Sequence, residues 1–239
     1  MSERWFFFDL DGTLWDHHAA STRAIMKVCE RYSLSPMAFI PIFRTCNDLL
    51  WREIGASHMS FATLRTRRFE MALAQQACGC SSNDAQEMGA FYMDRYLEAP
   101  SFYPEAREMI CDAAQIGRVA ILTNGPRDNQ SVKLSYLNDY AILIDFMLCG
   151  EDINIYKPVA GFFDHALKLA GLEEVESPDI FMLGDTWEED VAEPLRRRWE
   201  AGWISHGREL PEAGTAAHVF REPKAFREWL KRGLPGIGA

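Results

Sequence analysis

Short apolar runs, each about the length of one buried strand, recur along this chain and are separated by stretches of helical periodicity. Runs at Trp5–Phe8, 119–122, 146–148, 180–183, 203–204 and 217–220 read as strands. Between the later runs, "PEAREMICDAAQIG", "DNQSVKLSYLNDY" and "VAGFFDHALKLAGL" read as helices. In the last of these, Phe162, Ala166, Leu167, Leu169 and Ala170 fall roughly on one face, and Gly171 supplies a stop. Strands alternating with helices imply a parallel sheet covered on both faces, an α/β Rossmann-like architecture.

The segment from Asp16 to Ala99 has a different grain. It holds no convincing strand but three or four helical patterns, in "AASTRAIMKVCERYSL", "MAFIPIFRTCNDLLWREI", "SFATLRTRRFEMALAQQA" and "SNDAQEMGAFYMDRYLEA". The expected organisation is therefore a Rossmann-like core from residues 1–15 and 100–239, with an all-helical domain, residues 16–99, inserted after the first strand. The punctuation of "APSFYP" marks the return to the core.

With 48% hydrophobic residues, the 239-residue chain can bury a sizeable core. Its formal charge of −10 argues against a nucleic-acid polymer as partner, since such binding rests on neutralising many phosphates. A small phosphorylated metabolite needs only a local positive site. No apolar run reaches the roughly 18 residues of a membrane helix, and Asp9 and Asp11 interrupt any leader-like start. Six scattered cysteines, with only Cys78 and Cys80 close together, read as free thiols in a reducing cytoplasm. A monomer or homodimer is expected.

The chemistry sits at strand ends. The aromatic run Trp5–Phe8 leads straight into Asp9, Asp11, Gly12 and Thr13. Ligands of open parallel sheets bind beyond the carboxyl ends of the strands, so a strand buried on both faces aims these carboxylates at a cleft. Two neighbouring carboxylates call for a cation, and an oxygen-rich site suits Mg²⁺. Gly12 lets the backbone turn and approach a ligand. Three other elements fit: Thr123 and Asn124 ending "ILTNG", donors for a phosphoryl oxygen; Lys157 in "NIYKP", a compact positive charge; and Asp185 with Asp190 in "FMLGDTWEED".

Together these motifs resemble the haloacid dehalogenase-like hydrolase superfamily. Its phosphatases carry Asp-x-Asp-Gly-Thr, then Thr or Ser, then Lys, then Gly-Asp with a further Asp a few residues on. Here they stand as "DLDGT", "LTN", "YKP" and "GDTWEED". The resemblance implies that Asp9 is a nucleophile forming an aspartyl-phosphate and that Asp11 is general acid, then general base. It implies that Thr123 and Lys157 hold phosphoryl oxygens, with backbone N–H groups around Leu10–Gly12 facing the same group. Mg²⁺ would be held by Asp9, the carbonyl of Asp11, and Asp185, with Asp190 one step removed from the ion. The superfamily's dehalogenases lack an acid at the place of Asp11, so phosphoryl transfer is favoured over carbon–halogen cleavage.

The inserted segment is similar in patches to the cap of bacterial pyrimidine 5'-nucleotidases of this family. Asn47, Trp51, Arg52, Arg65 and Arg68 are its candidate substrate contacts, with Trp15 and Asp16 as a flap. The expected activity is hydrolysis of a small phosphomonoester, a nucleoside monophosphate first, then phosphoglycolate or a sugar phosphate. A phosphomutase, a dehalogenase and a non-catalytic binding protein of the same fold are the alternatives. One stretch departs from the family: "DVAEPLRRRWEAGW" puts Glu193 and Pro194 where small residues are usual, which predicts a loop through Glu193 and a helix starting near Pro194.

Overall fold

A computed structural model describes residues 3–57, 59–76, 82–176, 178–211 and 217–233. The chain divides into two compact units, Met1–Asp16 with Ser101–Ala239, and His17–Pro100. The first unit is a six-stranded parallel sheet in the order β3-β2-β1-β4-β5-β6. Its strands are β1 (Trp5–Phe8), β2 (Arg118–Thr123), β3 (Ile144–Cys149), β4 (Ile180–Gly184), β5 (Glu200–Ile204) and β6 (His218–Phe220). Helices α5 (Ala106–Ala114), α6 (Arg127–Ser135), α7 (Gly150–Ile153), α8 (Ala160–Ala170), α9 (Ala192–Arg196) and α10 (Pro223–Arg232) belong to the same unit.

The four aromatic residues of β1 are all buried because the strand lies between β2 and β4 and has cover on both faces. Alternate side chains of a strand point to opposite faces. Trp5 and Phe7 join Phe162, Phe163 and Trp199 on one side. Phe6 and Phe8 pack on the other against Phe181, 6.1 Å from Phe6, and Phe226 of α10, 5.9 Å from Phe8. Burying a side chain of this size stabilises the fold by roughly 1.5–3 kcal/mol.

Strand order also positions the site. From β1 the sheet grows one way through β2 and β3 and the other way through β4, β5 and β6, so β1 and β4 flank the point where the order reverses. A crevice opens at the carboxyl ends of such a pair. The register pairs Phe8 with Leu183, and the Asp9 N–H donates to the Leu183 carbonyl at 2.8 Å.

Among the described residues, the regular structure of the second unit is helical: α1 (His17–Arg31), α2 (Pro36–Ser57), α3 (Phe61–Gln75) and α4 (Ser82–Leu97). Ser60 caps α3, its Oγ accepting from the Thr63 N–H at 3.1 Å. The interior is aromatic, with Phe43 4.8 Å from Phe69 and 5.3 Å from Tyr92 between ring centroids. Cys29, Cys46, Cys111 and Cys149 are free thiols, while Cys78 and Cys80 lie outside the described residues.

The expected loop through Glu193 is not found. A wide turn, Trp187–Val191, runs directly into α9, and the Ala192 N–H reaches back five residues to the Trp187 carbonyl. Pro194 is the third residue of α9, in a first helical turn where a missing N–H is tolerated. Its ring is buried.

Helix propensity and packing disagree at Gly89 of α4. Propensity alone favours alanine over glycine in a helix interior by about 1 kcal/mol. A Cβ there would lie 2.7 Å from the Arg65 carbonyl oxygen, a backbone atom of α3. Gly89→Ala is therefore expected to destabilise the protein by about 1–3 kcal/mol, read as a lower urea midpoint. A raised midpoint would show that the two helices separate freely.

Candidate active site

Four loops at the carboxyl ends of β1, β2 and β4 and ahead of α8 bring the polar residues together. After β1 the backbone folds back at once: the N–H groups of Leu14 and Trp15 both donate to the Leu10 carbonyl, at 3.0 and 2.8 Å. Gly12 has φ +87°, and a Cβ on it would stand 2.5 Å from the Asp185 carboxyl carbon. Its own N–H donates to the Trp15 carbonyl at 2.8 Å. Gly12 therefore supplies space for Asp185, and the expected phosphate-facing N–H at this position is already engaged.

Lys157 sits at the centre, its side chain 1% exposed. Its Nζ donates to Asp9 Oδ1 at 2.9 Å, Asp190 Oδ1 at 2.5 Å and the Leu122 carbonyl at 2.9 Å. Burial opposes its charge, but Asp190 and Asp9 outweigh burial and push its pKa up. Asp9 Oδ2 also accepts from the Thr13 hydroxyl at 3.1 Å. Asp190 Oδ2 accepts from the Thr186 N–H at 3.0 Å. Burial raises the pKa of both carboxyls against the pull of Lys157.

Asp185, at the end of β4, is held from behind. The Trp203 indole N–H donates to its carbonyl at 2.9 Å, and Arg208 reaches both that carbonyl and, at 3.1 Å, its Oδ2. Burial, then the nearby Asp9, raises its pKa to about 6. Glu189 is raised to about 7, by burial and then by Asp190.

Asp9, Asp185 and Asp190 each offer a carboxylate oxygen, all within 4.8 Å of one another. Among the described site residues, five carboxylates (Asp9, Asp11, Asp185, Glu189, Asp190) face three cations, Lys133, Lys157 and Arg208. That formal excess of two negative charges equals the charge of one divalent cation, and the all-oxygen donor set suits a hard one. The residues fit a metal.

Thr123 is buried, and its Oγ accepts from the Gly125 N–H at 3.1 Å and from Gln130 Nε2 at 2.7 Å. With both lone pairs used, the hydroxyl keeps its proton to donate. Asn124, expected to donate to a phosphoryl oxygen, is engaged elsewhere. Its Nδ2 donates to the Lys157 carbonyl at 3.0 Å and to Glu189 at 2.8 Å, and its Oδ1 accepts from the Lys157 N–H at 2.8 Å. It clamps the Lys157 backbone instead.

Gln130 and Lys133 lie outside the four sequence motifs, yet they belong to the site. Gln130 Nε2 donates to Asp11 Oδ2 at 2.8 Å, and Lys133 Nζ donates to Asp11 Oδ1 at 2.5 Å. The signal was available: they stand three residues apart, hence on one face, of the helix that follows "LTNG". Glu189 was visible within "GDTWEED" but indistinguishable from its solvated neighbour Glu188.

Trp15, expected in a flap, is instead wholly buried, its ring 5.1 Å from Phe102 and 6.4 Å from Tyr136. An indole this enclosed serves packing. Asp16 marks the boundary between the units, its N–H donating to the Ser101 carbonyl at 2.7 Å. In the helical unit, Asn47 accepts from the buried Arg68 at 3.2 Å, Trp51 packs 5.6 Å from Phe61, and Arg52 is exposed.

A sequence profile of the hydrolase family described as haloacid dehalogenase-like hydrolase matches residues 3–193. This chain belongs to that family. The pyrimidine 5'-nucleotidase YjjG of Escherichia coli K12 is 26% identical over 215 residues, 87% of this chain and 89% of the relative. Human N-acylneuraminate-9-phosphatase is 26% identical over 211 residues, 86% of this chain and 84% of the relative. Among solved structures, the putative hydrolase YfnB of Bacillus subtilis, described as bound to magnesium, superposes with a TM-score of 0.81 at 19% identity. It covers 97% of this chain and 100% of its own, a likeness of fold. Among the described residues, no helix of this family member is long and apolar enough to cross a membrane.

Glu189 offers a check on the electrostatics. Its carboxyl titrates near 7 in the folded chain, against an ordinary 4.5. A raised acid stabilises the fold fully below the unfolded pKa, and that contribution is lost as pH rises through the folded value. In chelator, Glu189→Gln is therefore expected to stabilise the protein on the order of 1–3 kcal/mol at pH 8 and not at pH 4.5. Melting curves at the two pH values decide it, and an equal effect at both would show that the carboxylate is not desolvated.

Proposed function

We propose that the chain is an Mg²⁺-dependent phosphomonoesterase that works through an aspartyl-phosphate on Asp9. The observation that carries this reading is the pair Asp9 and Asp11 on one tight loop, held by separate cations: Asp9 by Lys157, and Asp11 by Lys133. Two carboxyls in different settings, two residues apart, suit different tasks: one attacks phosphorus, the other carries protons.

Asp9, Asp185 and the carbonyl of Asp11 would hold the ion, with Asp190 tied to Lys157 beside them. When bound, Mg²⁺ supplies positive charge that keeps Asp9 ionised and offsets the incoming phosphoryl oxygens. The chain's own groups do the rest. In the first step, an Asp9 oxygen bonds to phosphorus as the ester oxygen leaves and takes the proton of Asp11. In the second, water attacks the phosphoaspartate, Asp11 takes its proton, and inorganic phosphate leaves. The Thr123 hydroxyl would donate to a phosphoryl oxygen between those steps, while Lys157, its three N–H groups already taken, would supply positive charge beside it.

For the substrate, a nucleoside monophosphate is the first reading, supported by the relation to YjjG and by its extent along both chains. A sugar phosphate is the second, supported by the equal identity to N-acylneuraminate-9-phosphatase. Asn47, Trp51 and Arg52 remain the proposed specificity residues of the helical unit. We assign the chain to the cytoplasm on the free thiols of Cys29, Cys46, Cys111 and Cys149.

Phosphate release from nucleotides, sugar phosphates and phosphoglycolate, with Mg²⁺ and with chelator, tests this reading. Turnover is expected only with metal. Asp9→Asn should reduce it to background, and Asp11→Asn should lower kcat by about 10²–10⁴-fold. Turnover surviving in Asp9→Asn would remove the covalent mechanism, and no turnover on the whole panel would count against catalysis.

A further inference from the structure

Helix α6 is inside out. Its apolar Val132 is 39% exposed, while Gln130 and Lys133 are 0% and 2% exposed. Burying an ammonium is costly unless a partner compensates it, and burial does depress the Lys133 pKa. The partner in each case is Asp11. Lys133 takes one carboxylate oxygen and Gln130 the other.

The surroundings are shaped to keep this grip. The Lys133 ammonium lies 5.6 Å over the buried ring of Trp15, which forms one wall of its slot. Gly125 leaves room for Gln130: a Cβ there would stand 2.0 Å from Nε2 and 3.3 Å from Asp11 Oδ2. The same Nε2 also donates to Thr123 Oγ at 2.7 Å, so one amide bridges the proton carrier and the hydroxyl placed for the phosphoryl group. A carboxylate gripped at both oxygens by donors from one rigid helix cannot swing about its Cβ–Cγ bond. The Asp11 side chain is still 28% exposed, so it faces outward as well.

We infer that Gln130 and Lys133 are positioning residues for proton transfer, holding the Asp11 carboxyl in the orientation from which it protonates the leaving oxygen. The inference rests on the phosphatase reading above and names a part of that site outside the four sequence motifs. In the step concerned, the Asp11 O–H bond breaks, the proton goes to the ester oxygen as its bond to phosphorus breaks, and Asp11 is left as a carboxylate between its two donors. A fixed donor within reach of the departing oxygen is what general acid catalysis needs.

Leaving-group dependence separates this role from a merely structural one. A para-nitrophenolate leaves without a proton, whereas the alkoxide of a nucleoside or sugar phosphate requires one. Wild type, Lys133→Met, Gln130→Met and Lys133→Arg would be assayed with Mg²⁺ on para-nitrophenyl phosphate and on the best alkyl phosphate of the panel, with Asp11→Asn as reference. Lys133→Met and Gln130→Met are expected to lower kcat on the alkyl ester by about 10–100-fold, and on the aryl ester by only about 2- to 3-fold. Lys133→Arg should fall in the same direction but less, and melting curves identify any variant that does not fold. Should Lys133→Met fail to fold, Gln130→Met and Lys133→Arg carry the same comparison. Equal losses on both esters, or a change confined to KM, would overturn the inference while leaving the phosphatase reading intact. A wild type inert on both esters would overturn that reading, and this inference with it.

Discussion

The site hangs on one ammonium. Lys157 Nζ joins the end of β1 through Asp9, the end of β2 through the Leu122 carbonyl, and the turn after β4 through Asp190. All three donors are used, and the side chain is almost wholly out of water. Such a charge is tolerated because two carboxylates face it, and those carboxylates are tolerated because it faces them. Removing any one would leave a buried charge without its partner, so the loops of three strands share one electrostatic constraint. Asn124 extends that constraint to the backbone by gripping the N–H and carbonyl of Lys157.

The sheet makes this arrangement possible through its order. Placing β1 between β2 and β4 brings residues more than a hundred positions apart onto adjacent strand ends. Burial of the Trp5–Phe8 aromatic side chains on both faces leaves β1 little freedom to slip, because a shift of one residue would exchange the two faces. Glycines then admit the carboxylates. Gly12 makes way for Asp185 and Gly184 for Asp190, where a Cβ would lie 2.2 Å from the Asp190 Cβ. Burial first, and then the neighbouring carboxylates, raise the pKa values of Asp185 and Glu189, and the crowded carboxylate oxygens account for the fit to a divalent cation.

Much of this was legible in the residues. All six strands fall on the apolar runs, the inner ones because a strand buried on both faces must be apolar, while the edge strands β3 and β6 stay partly exposed; the helices follow their periodicity. Asp9, Thr123 and Asp185 could be picked out because each stands where a run ends, Asp11 and Asp190 because they follow within a few residues, and Lys157 as a lone positive charge in a motif ahead of a helix. The misreadings share a cause. Asn124 and Gly12 have the right chemistry for a phosphate, but hydrogen bonding is a matter of competition, and nearer partners won. Trp15 adjoins a motif, yet its ring found a cavity beside Phe102. The segment before Pro194 is a wide helical turn that runs directly into α9.

The sequence by itself determined the family, the parallel sheet and the carboxylates at the strand ends, because these depend on local pattern and on motifs read along the chain. Only the tertiary structure decided which polar groups face one another: that Lys157 is shared by Asp9 and Asp190, that Asn124 is a clamp, and that Gln130 and Lys133 grip Asp11. A buried lysine and a solvated lysine are the same letter. What separates them is the desolvation that burial imposes and the partner that offsets it, and both are set by strands and helices distant in sequence.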